Sequence, residues 1–488
     1  MYEDRPYLTE RPDALRRLWE TCARSDSSRA STPGWQLDRW KAVRDLIVAW
    51  YADDRPDAEA VPDLVTRLAG WMDDVQRSIV ERQFAGWRAM YPKDPDVSVD
   101  LEPPAVSVVD HDARVELRVS PTFRIVYPDG SGEQVRVRTG RFGTGPDDAA
   151  VFERGREHPD ALIDAMVSHG VAEEVELPPD SQARIVELIE LAGRDRRVPL
   201  RPGIHCFGCA SAARCGQYPV LGEGRVYLST RSIVVSKSQL AWLGTCERRV
   251  AWDRVFGVPP DRDDDVELGR GLSAGVRFHE VAAAAILADD PVPIVAEACR
   301  TIEPAESAEL QRLWDNHRAV WDEEGHPEAR TTEFPAGFTL TVPGVHVDSR
   351  GRESTQPVAV TFIGVLDVTG RESDGTPMVV EHRTGQSGDH SDLEPELYAV
   401  SAAEAIRRQT GMWPERVAVH LHHLRPDPPV CVRSVFTPDD LARAVALLTD
   451  AAIAVAGWHP LDTRSARFTT GPWCDGCRHR ATCENFRS

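Results

Sequence analysis

Lysine is almost missing from this chain. Only Lys41, Lys93 and Lys237 occur among the 57 basic residues, and the other 54 are arginines. That bias reads as the imprint of a GC-rich coding sequence. A surplus of positive charge is missing too. With 78 acidic residues the formal net charge is −21, which argues against broad coating of nucleic acid but leaves room for one locally basic cleft. No apolar run approaches the ~18 residues that a membrane span needs. The first residues, Met1-Tyr-Glu-Asp-Arg-Pro, show neither a basic n-region nor an apolar h-region. There is no G-x-x-x-x-G-K-[ST] loop, hence no nucleotide-driven motor of that type. The expectation is a cytoplasmic protein of several domains with no membrane partner. A composition of 41% hydrophobic and 28% charged residues is that of a globular chain.

Cysteine, by contrast, is plentiful and ordered. In such a chain its ten cysteines are poor candidates for disulfides. Cys206, Cys209 and Cys215 form C-x2-C-x5-C, and Cys474, Cys477 and Cys483 repeat that spacing. Metal or cluster binding is the leading reading. The triplets also end a longer repetition. Each half carries a leucine-bearing segment closing on Thr-Cys (Cys22 and Cys246). Each then carries Arg-Thr-Gly at the end of a strand (Arg138 and Arg383), and then the triplet. The spacings are shorter in the first half. A tandem duplication follows, with its seam in the turn-rich stretch 215–230 and domains at 1–220 and 221–488.

The second half reads as mixed α/β. Ser236 and Ser238 can cap a helix starting near Gln239. Residues 271–288, 305–322 and 393–409 have helical character, and Thr437-Pro438 starts another helix. Residues 338–342, 358–368, 378–381 and 417–424 read as strands. Two of these strands carry acids near their ends, Asp367 and Glu381. Converging carboxylates suit a hard cation such as Mg2+ or Mn2+, and Arg383 lies on the same side of its strand as Glu381. His420, His422 and His423 resemble a metal cluster, but alternation splits them between two faces, so a structural or surface role is preferred. Cys299 and Cys431 read as ordinary core thiols. Trp35, Trp40, Trp50, Trp71 and Trp87 read as core rather than base-stacking platforms.

From 232 to 487 the chain resembles the PD-(D/E)XK nucleases, in particular the RecB/AddB-like branch with an iron–sulfur motif. The resemblance is carried in order by Ser236-Lys-Ser-Gln-Leu240, Trp242, Cys246, Gly275-Val-Arg-Phe-His279 and Gly364-Val-Leu-Asp367. It continues through Glu381-His-Arg383-Thr-Gly385, Tyr398 and Cys474/Cys477/Cys483. It implies a restriction-endonuclease-like core in two tandem copies, the N-terminal one degenerate. It also implies Mg2+ or Mn2+ on His279, Asp367 and Glu381, with the His382 carbonyl assisting and Arg383 and Tyr398 beside them. A 4Fe–4S cluster is implied on Cys246, Cys474, Cys477 and Cys483, zinc being the alternative. A second cluster site would use Cys22, Cys206, Cys209 and Cys215. The implied activity is a metal-dependent DNA exonuclease in repair, recombination or defence, with DNA as partner and a separate helicase or repair subunit beside it. The alternative is an inactive iron–sulfur DNA-binding or assembly subunit.

Two positions depart from that family. Its lysine is Arg383 here, which keeps the charge but cannot act as a base. Its glutamine falls on Glu394. Lys237 is a less favoured source of an ammonium from another element. In the first half Arg136 stands where Glu381 stands in the second, so no catalytic metal site is expected there.

Overall fold

The computed structural model describes residues 8–12, 15–16, 34–139, 144–156, 159–193, 206, 209, 212–215, 217–222, 229, 231–259, 270–325, 327–348, 351–385 and 393–484. The chain divides into two compact units. The first comprises 1–201, 256–259 and 482–488, and the second 202–255 and 260–481. Cys206, Cys209 and Cys215 therefore fall in the second unit rather than with the first half.

In the first unit β1 (Leu8–Glu10) precedes three helices, α1 (Gly34–Tyr51), α2 (Asp57–Ala69) and α3 (Asp74–Met90). The strands β2 (Ser98–Asp100), β3 (Val106–Asp110), β4 (Val115–Val119), β5 (Phe123–Val126) and β6 (Gly132–Arg138) follow. Then come α4 (Pro146–Gly155), β7 (Ala161–Met166), β8 (Val171–Glu174) and α5 (Ser181–Gly193). One sheet has the order β2-β5-β6-β7-β8 and a smaller one β1-β4-β3. β5 and β6 run antiparallel, β6 and β7 parallel across α4, and β7 and β8 antiparallel. The three helices cover the larger sheet through a core containing Trp50, Phe84, Trp87 and Phe123. The expectation for the tryptophans thus holds at Trp50 and Trp87. Trp71 is 63% exposed and is not a core residue, while the side chain of Trp35 lies outside the described residues.

The second unit opens with β9 (Val220–Leu221) and β10 (Arg231–Ser236), then α6 (Lys237–Leu243) and α7 (Glu247–Ala251). Three helices follow, α8 (Arg270–Ala285), α9 (Val292–Arg300) and α10 (Pro304–Glu323). After them come the long hairpin β11 (Glu328–Val347) and β12 (Glu353–Arg371), then β13 (Pro377–Arg383), α11 (Glu394–Thr410), β14 (Val417–His423), β15 (Val430–Phe436), α12 (Pro438–Ala456) and the short α13 (Arg480–Glu484). The sheet order is β15-β14-β13-β12-β11-β9, with β10 parallel to β12. β12 and β13 are antiparallel, β13 and β14 parallel across α11, and β14 and β15 antiparallel.

β11 is far longer than its sequence suggests. Pro335 and Pro343 break the pattern that marks a strand, yet the far side of β11 pairs only with the two residues of β9. A strand that is edge-like over most of its length tolerates proline, because no partner needs the missing N–H. The helix starts were more legible. Gln239 accepts from the Ser236 N–H at 2.9 Å, and Thr437 and Asp440 cap α12 reciprocally, with Pro438 at its first position.

Thr437→Ala is expected to cost about 1 kcal/mol of stability. A lowered midpoint in thermal unfolding, with the far-ultraviolet spectrum unchanged, is the check.

Candidate active site

The sheet sets the site. Val368 of β12 faces Val380 of β13, so Asp367 and Glu381 are the next positions on the two strands. Both side chains are buried, at 5% and 2% exposure. The His382 backbone N–H donates to Asp367 Oδ2 at 2.7 Å and fixes that carboxylate. β10, parallel to β12, ends at Ser236 and feeds directly into α6. The first helical residue is Lys237, whose Nζ lies 2.6 Å from Glu381 Oε1 and 3.9 Å from Asp367 Oδ1. Gly364 lies in the same corner, where a Cβ would stand in ordinary contact with Tyr398 at 3.6 Å and Lys237 at 3.9 Å.

α8 brings the histidine. A Cβ on Gly275 would lie 2.7 Å from Thr384 Oγ1, so only glycine lets the helix come this close to the end of β13. One turn later, His279 Nδ1 lies 3.5 Å from Asp367 Oδ1. The glycine and histidine of Gly-x-x-x-His thus do one job. The first sets the approach of the helix, and the second uses it.

The charges are mutually tuned. Burial alone would raise the Asp367 carboxyl, but Lys237, His279 and His382 hold it well below the usual carboxylate range. Burial pulls Lys237 down, yet Glu381 and Asp367 more than offset it and raise its ammonium above the ordinary lysine value. His279 is likewise raised by Asp367 against burial. The Tyr398 phenol is pushed well up by burial and by the nearby Glu381 charge.

Arg383 sits differently. Its guanidinium forms a buried ion pair with Glu394, the first residue of α11. The two departures from the expected motif therefore meet each other, while the ammonium at the carboxylates belongs to Lys237. Sequence reasoning also passed over Glu333. It lies between the paired residues Thr332 and Phe334 of β11, whose partners flank Asp367. Its φ is 50°, a left-handed conformation uncommon for a non-glycine residue and frequent at functional positions. Partial burial and the negative charge of Asp367 raise its carboxyl. No spacing signal marks it in the sequence.

The first unit holds ion pairs at the end of β6. Arg136 bonds Asp148 at 2.9 Å, and Arg138 bonds Asp164 at 3.0 Å.

Comparison with known proteins supplies the family. Residues 234–484, just over half of the chain, match the PD-(D/E)XK nuclease superfamily. The chain belongs to that superfamily. A solved structure titled "Crystal structure of SSO0001" is similar at 15% identity, over 52% of this chain and 86% of that one, with a TM-score of 0.23. No curated protein matches. Members of the superfamily are generally nucleases and typically use divalent metals. The residues present fit such an ion. Two carboxylates and an imidazole are hard-to-borderline donors, and the buried Oε2 of Glu381 has no hydrogen-bond partner among the described residues. His279, Asp367 and His382 each offer a donor atom within 4.8 Å of the others. Among the described residues no helix is long and apolar enough to cross a membrane.

The cysteines fall into two groups. Cys246 caps α7 and is buried. Burial raises the Cys477 thiol, and the proximity of Cys246 and Cys474 adds to that, so these three thiols share one neighbourhood suited to a thiolate-bound metal. Their loop is held by Asp253, which accepts from Arg478 Nε at 2.9 Å and His479 Nε2 at 2.7 Å. Cys483 lies on α13. Cys206, Cys209 and Cys215 surround Tyr218 and pack with Val234 and Ile363. Cys22 lies outside the described residues.

Two outcomes test this geometry. Gly275→Val is expected to push α8 off the β13 end and weaken Mn2+ binding at least ~10-fold, read by calorimetric titration. Burial opposes ionisation of Asp253, but His479 and Arg478 win and hold it below the ordinary 3.8. A depressed carboxyl stabilises the fold above its unfolded value and stops doing so as the pH falls through its folded value. The melting temperature of Asp253→Asn should therefore lie below that of the parent at pH 7, and the gap should close on acidification towards pH 3.

Proposed function

We propose that the second unit is a divalent-metal-dependent DNA nuclease of the RecB/AddB-like type, with Lys237 in the role the family assigns to the strand lysine. The observation that carries this reading is the Lys237 ammonium, 2.6 Å from Glu381 and 3.9 Å from Asp367, beside His279. Asp367, Glu381 and His279, with the His382 carbonyl, would hold Mg2+ or Mn2+. When bound, such an ion lowers the pKa of water and offsets charge on a phosphate. Lys237 stays protonated near neutral pH, because its carboxylate neighbours raise it. Its task is electrostatic: it orients a scissile phosphate and stabilises the charge that develops there, and it is no general base. Arg383 orders the start of α11 through Glu394.

The rest of the chain fits a duplicated ancestor. Both units run through three helices, an antiparallel strand pair, a parallel β-α-β step, an antiparallel hairpin and a helix, and each series leads on to a C-x2-C-x5-C triplet. In the first series Arg136 and Arg138 are locked to aspartates, which suits a copy that has lost the metal and kept the scaffold. Cys246, Cys474 and Cys477, with Cys483 as fourth thiolate by motif spacing, are proposed to hold a 4Fe–4S cluster. Cys206, Cys209 and Cys215 are proposed as a second ligand set. Action in DNA repair, recombination or defence follows from the same family likeness.

The test is cleavage of end-labelled single- and double-stranded DNA by anaerobically purified protein with Mn2+ or Mg2+. Glu381→Ala should show no cleavage, and Lys237→Ala should fall by about 10²–10³-fold. Arg383→Lys should lose less than Lys237→Ala. The reverse ranking would return the phosphate contact to Arg383. DNA binding without cleavage by the intact parent would replace the enzyme with a non-catalytic DNA-binding subunit.

A further inference from the structure

A second cluster of metal-type donors lies behind the catalytic strand, on elements of the same unit. The row His382–His422–Cys431 crosses β13, β14 and β15 in register, and His420 precedes His422 by two residues on the same face. Helix α10 lies over this face. It contributes the buried His317, and Glu324 follows its last residue. His420 and His422 are 2% and 0% exposed, so of the structural or surface role expected for them burial leaves the structural one. Cys431 is not an ordinary core thiol, because its sulfur touches a carboxylate.

The four groups converge on one point. Glu324 Oε1 meets His420 Nδ1 and, at 2.7 Å, Cys431 Sγ, while Glu324 Oε2 meets His422 Nε2 at 3.0 Å. Cys431 Sγ is 4.0 Å from His420 Nδ1. One donor atom from each of the four lies within 4.8 Å of all the others. Donor atoms around a tetrahedral ion with bonds of ~2.0–2.3 Å lie roughly 3.3–3.8 Å apart, so side-chain adjustments within this cluster bring all four onto one ion. The surroundings also have the form of a ligand shell. His420 turns its other nitrogen, Nε2, to Glu372 Oε1 at 2.8 Å, and Arg433 grips Glu372 at 2.6 and 2.8 Å. A carboxylate behind a histidine fixes its tautomer and strengthens it as a ligand.

We propose that Glu324, His420, His422 and Cys431 form a four-coordinate site for a transition-metal dication of the zinc type. Two imidazoles, one thiolate and one carboxylate form a borderline-soft set that selects Zn2+ over Mg2+ or Ca2+. All four positions are protein atoms, so the site is closed and structural. It ties the end of α10 to β14 and β15. Binding releases the Cys431 thiol proton and the proton that His420 Nδ1 holds against Glu324, and it moves the His422 ring proton from Nε2 to Nδ1, so that each donor offers the ion a lone pair and the ion replaces the hydrogen bonds to Glu324. The buried rings of His382, His317 and His422 stand side by side, with centroids 4.9 Å apart for His317–His382 and 5.7 Å for His382–His422. The structural ion thus braces the strand that carries Glu381. The inference does not depend on the nuclease reading, and it survives if cleavage is never seen.

The experiment is zinc content per chain, by elemental mass spectrometry, of full-length protein equilibrated with Zn2+ and desalted. The parent should hold one Zn2+ more than either Cys431→Ser or His420→Gln, while Cys299→Ser, an unrelated thiol, should match the parent. Equal zinc in the parent and both site variants overturns the proposal. Anomalous scattering at the zinc edge from crystals of the unmodified protein, grown with Zn2+, gives the same decision without a variant that has to fold. A peak among the four donors supports the site, and no peak there overturns it.

Discussion

Two carboxylates buried side by side govern the second unit. Asp367 and Glu381 stand on neighbouring strands with almost no exposure, and their mutual repulsion and loss of water would oppose folding if nothing answered them. The answer arrives from three directions. Lys237 comes from the helix after β10, His279 from α8, and the His382 N–H from the strand itself. Each depends on a separate piece of chain geometry: the parallel pairing of β10 with β12, the close approach at Gly275, and the antiparallel register of β12 with β13. The fold is in this sense the apparatus that keeps a concentrated negative charge in place.

Much of this was readable in the residues. Helix starts at Ser236 and Thr437 announced themselves, because capping is local chemistry and needs no tertiary context. The C-terminal cysteines were recognisable by spacing, and the acids and the Gly-x-x-x-His helix only by their likeness to the ordered motifs of the family. What escaped depends on neighbours remote in sequence. β11 was cut short in the reading because its prolines are forgiven only by its position in the sheet. Lys237 was underweighted because the strand motif points to Arg383, and only the pairing of β10 with β12 carries the ammonium across. Glu333 has no pattern at all. His420 and His422 resembled a metal cluster but were set aside, and Cys431 read as an ordinary thiol, because Glu324, which meets all three, is remote in sequence.

The two units share a succession of elements and differ in what stands at their strand ends. In one, acids face a single ammonium and a histidine. In the other, arginines face aspartates, and each charge has its own partner. In the first arrangement one oxygen of Glu381 has no hydrogen-bond partner among the described residues, which suits a cation. In the second, Arg136 and Arg138 are each matched by an aspartate. A similar succession of elements thus carries two different balances of charge.

The pairing of Arg383 with Glu394 carries a consequence for how such a site drifts over time. Seen along the chain, the two residues are independent departures from the family pattern, eleven positions apart. In space they are one compensated exchange. Each answers the charge of the other inside the protein, so a change at one position is felt at the other. On the reading proposed above, Lys237 covers the acids from another helix and leaves the strand position to serve as a pin for the start of α11. A motif can then look eroded along the chain while its charges still meet in space.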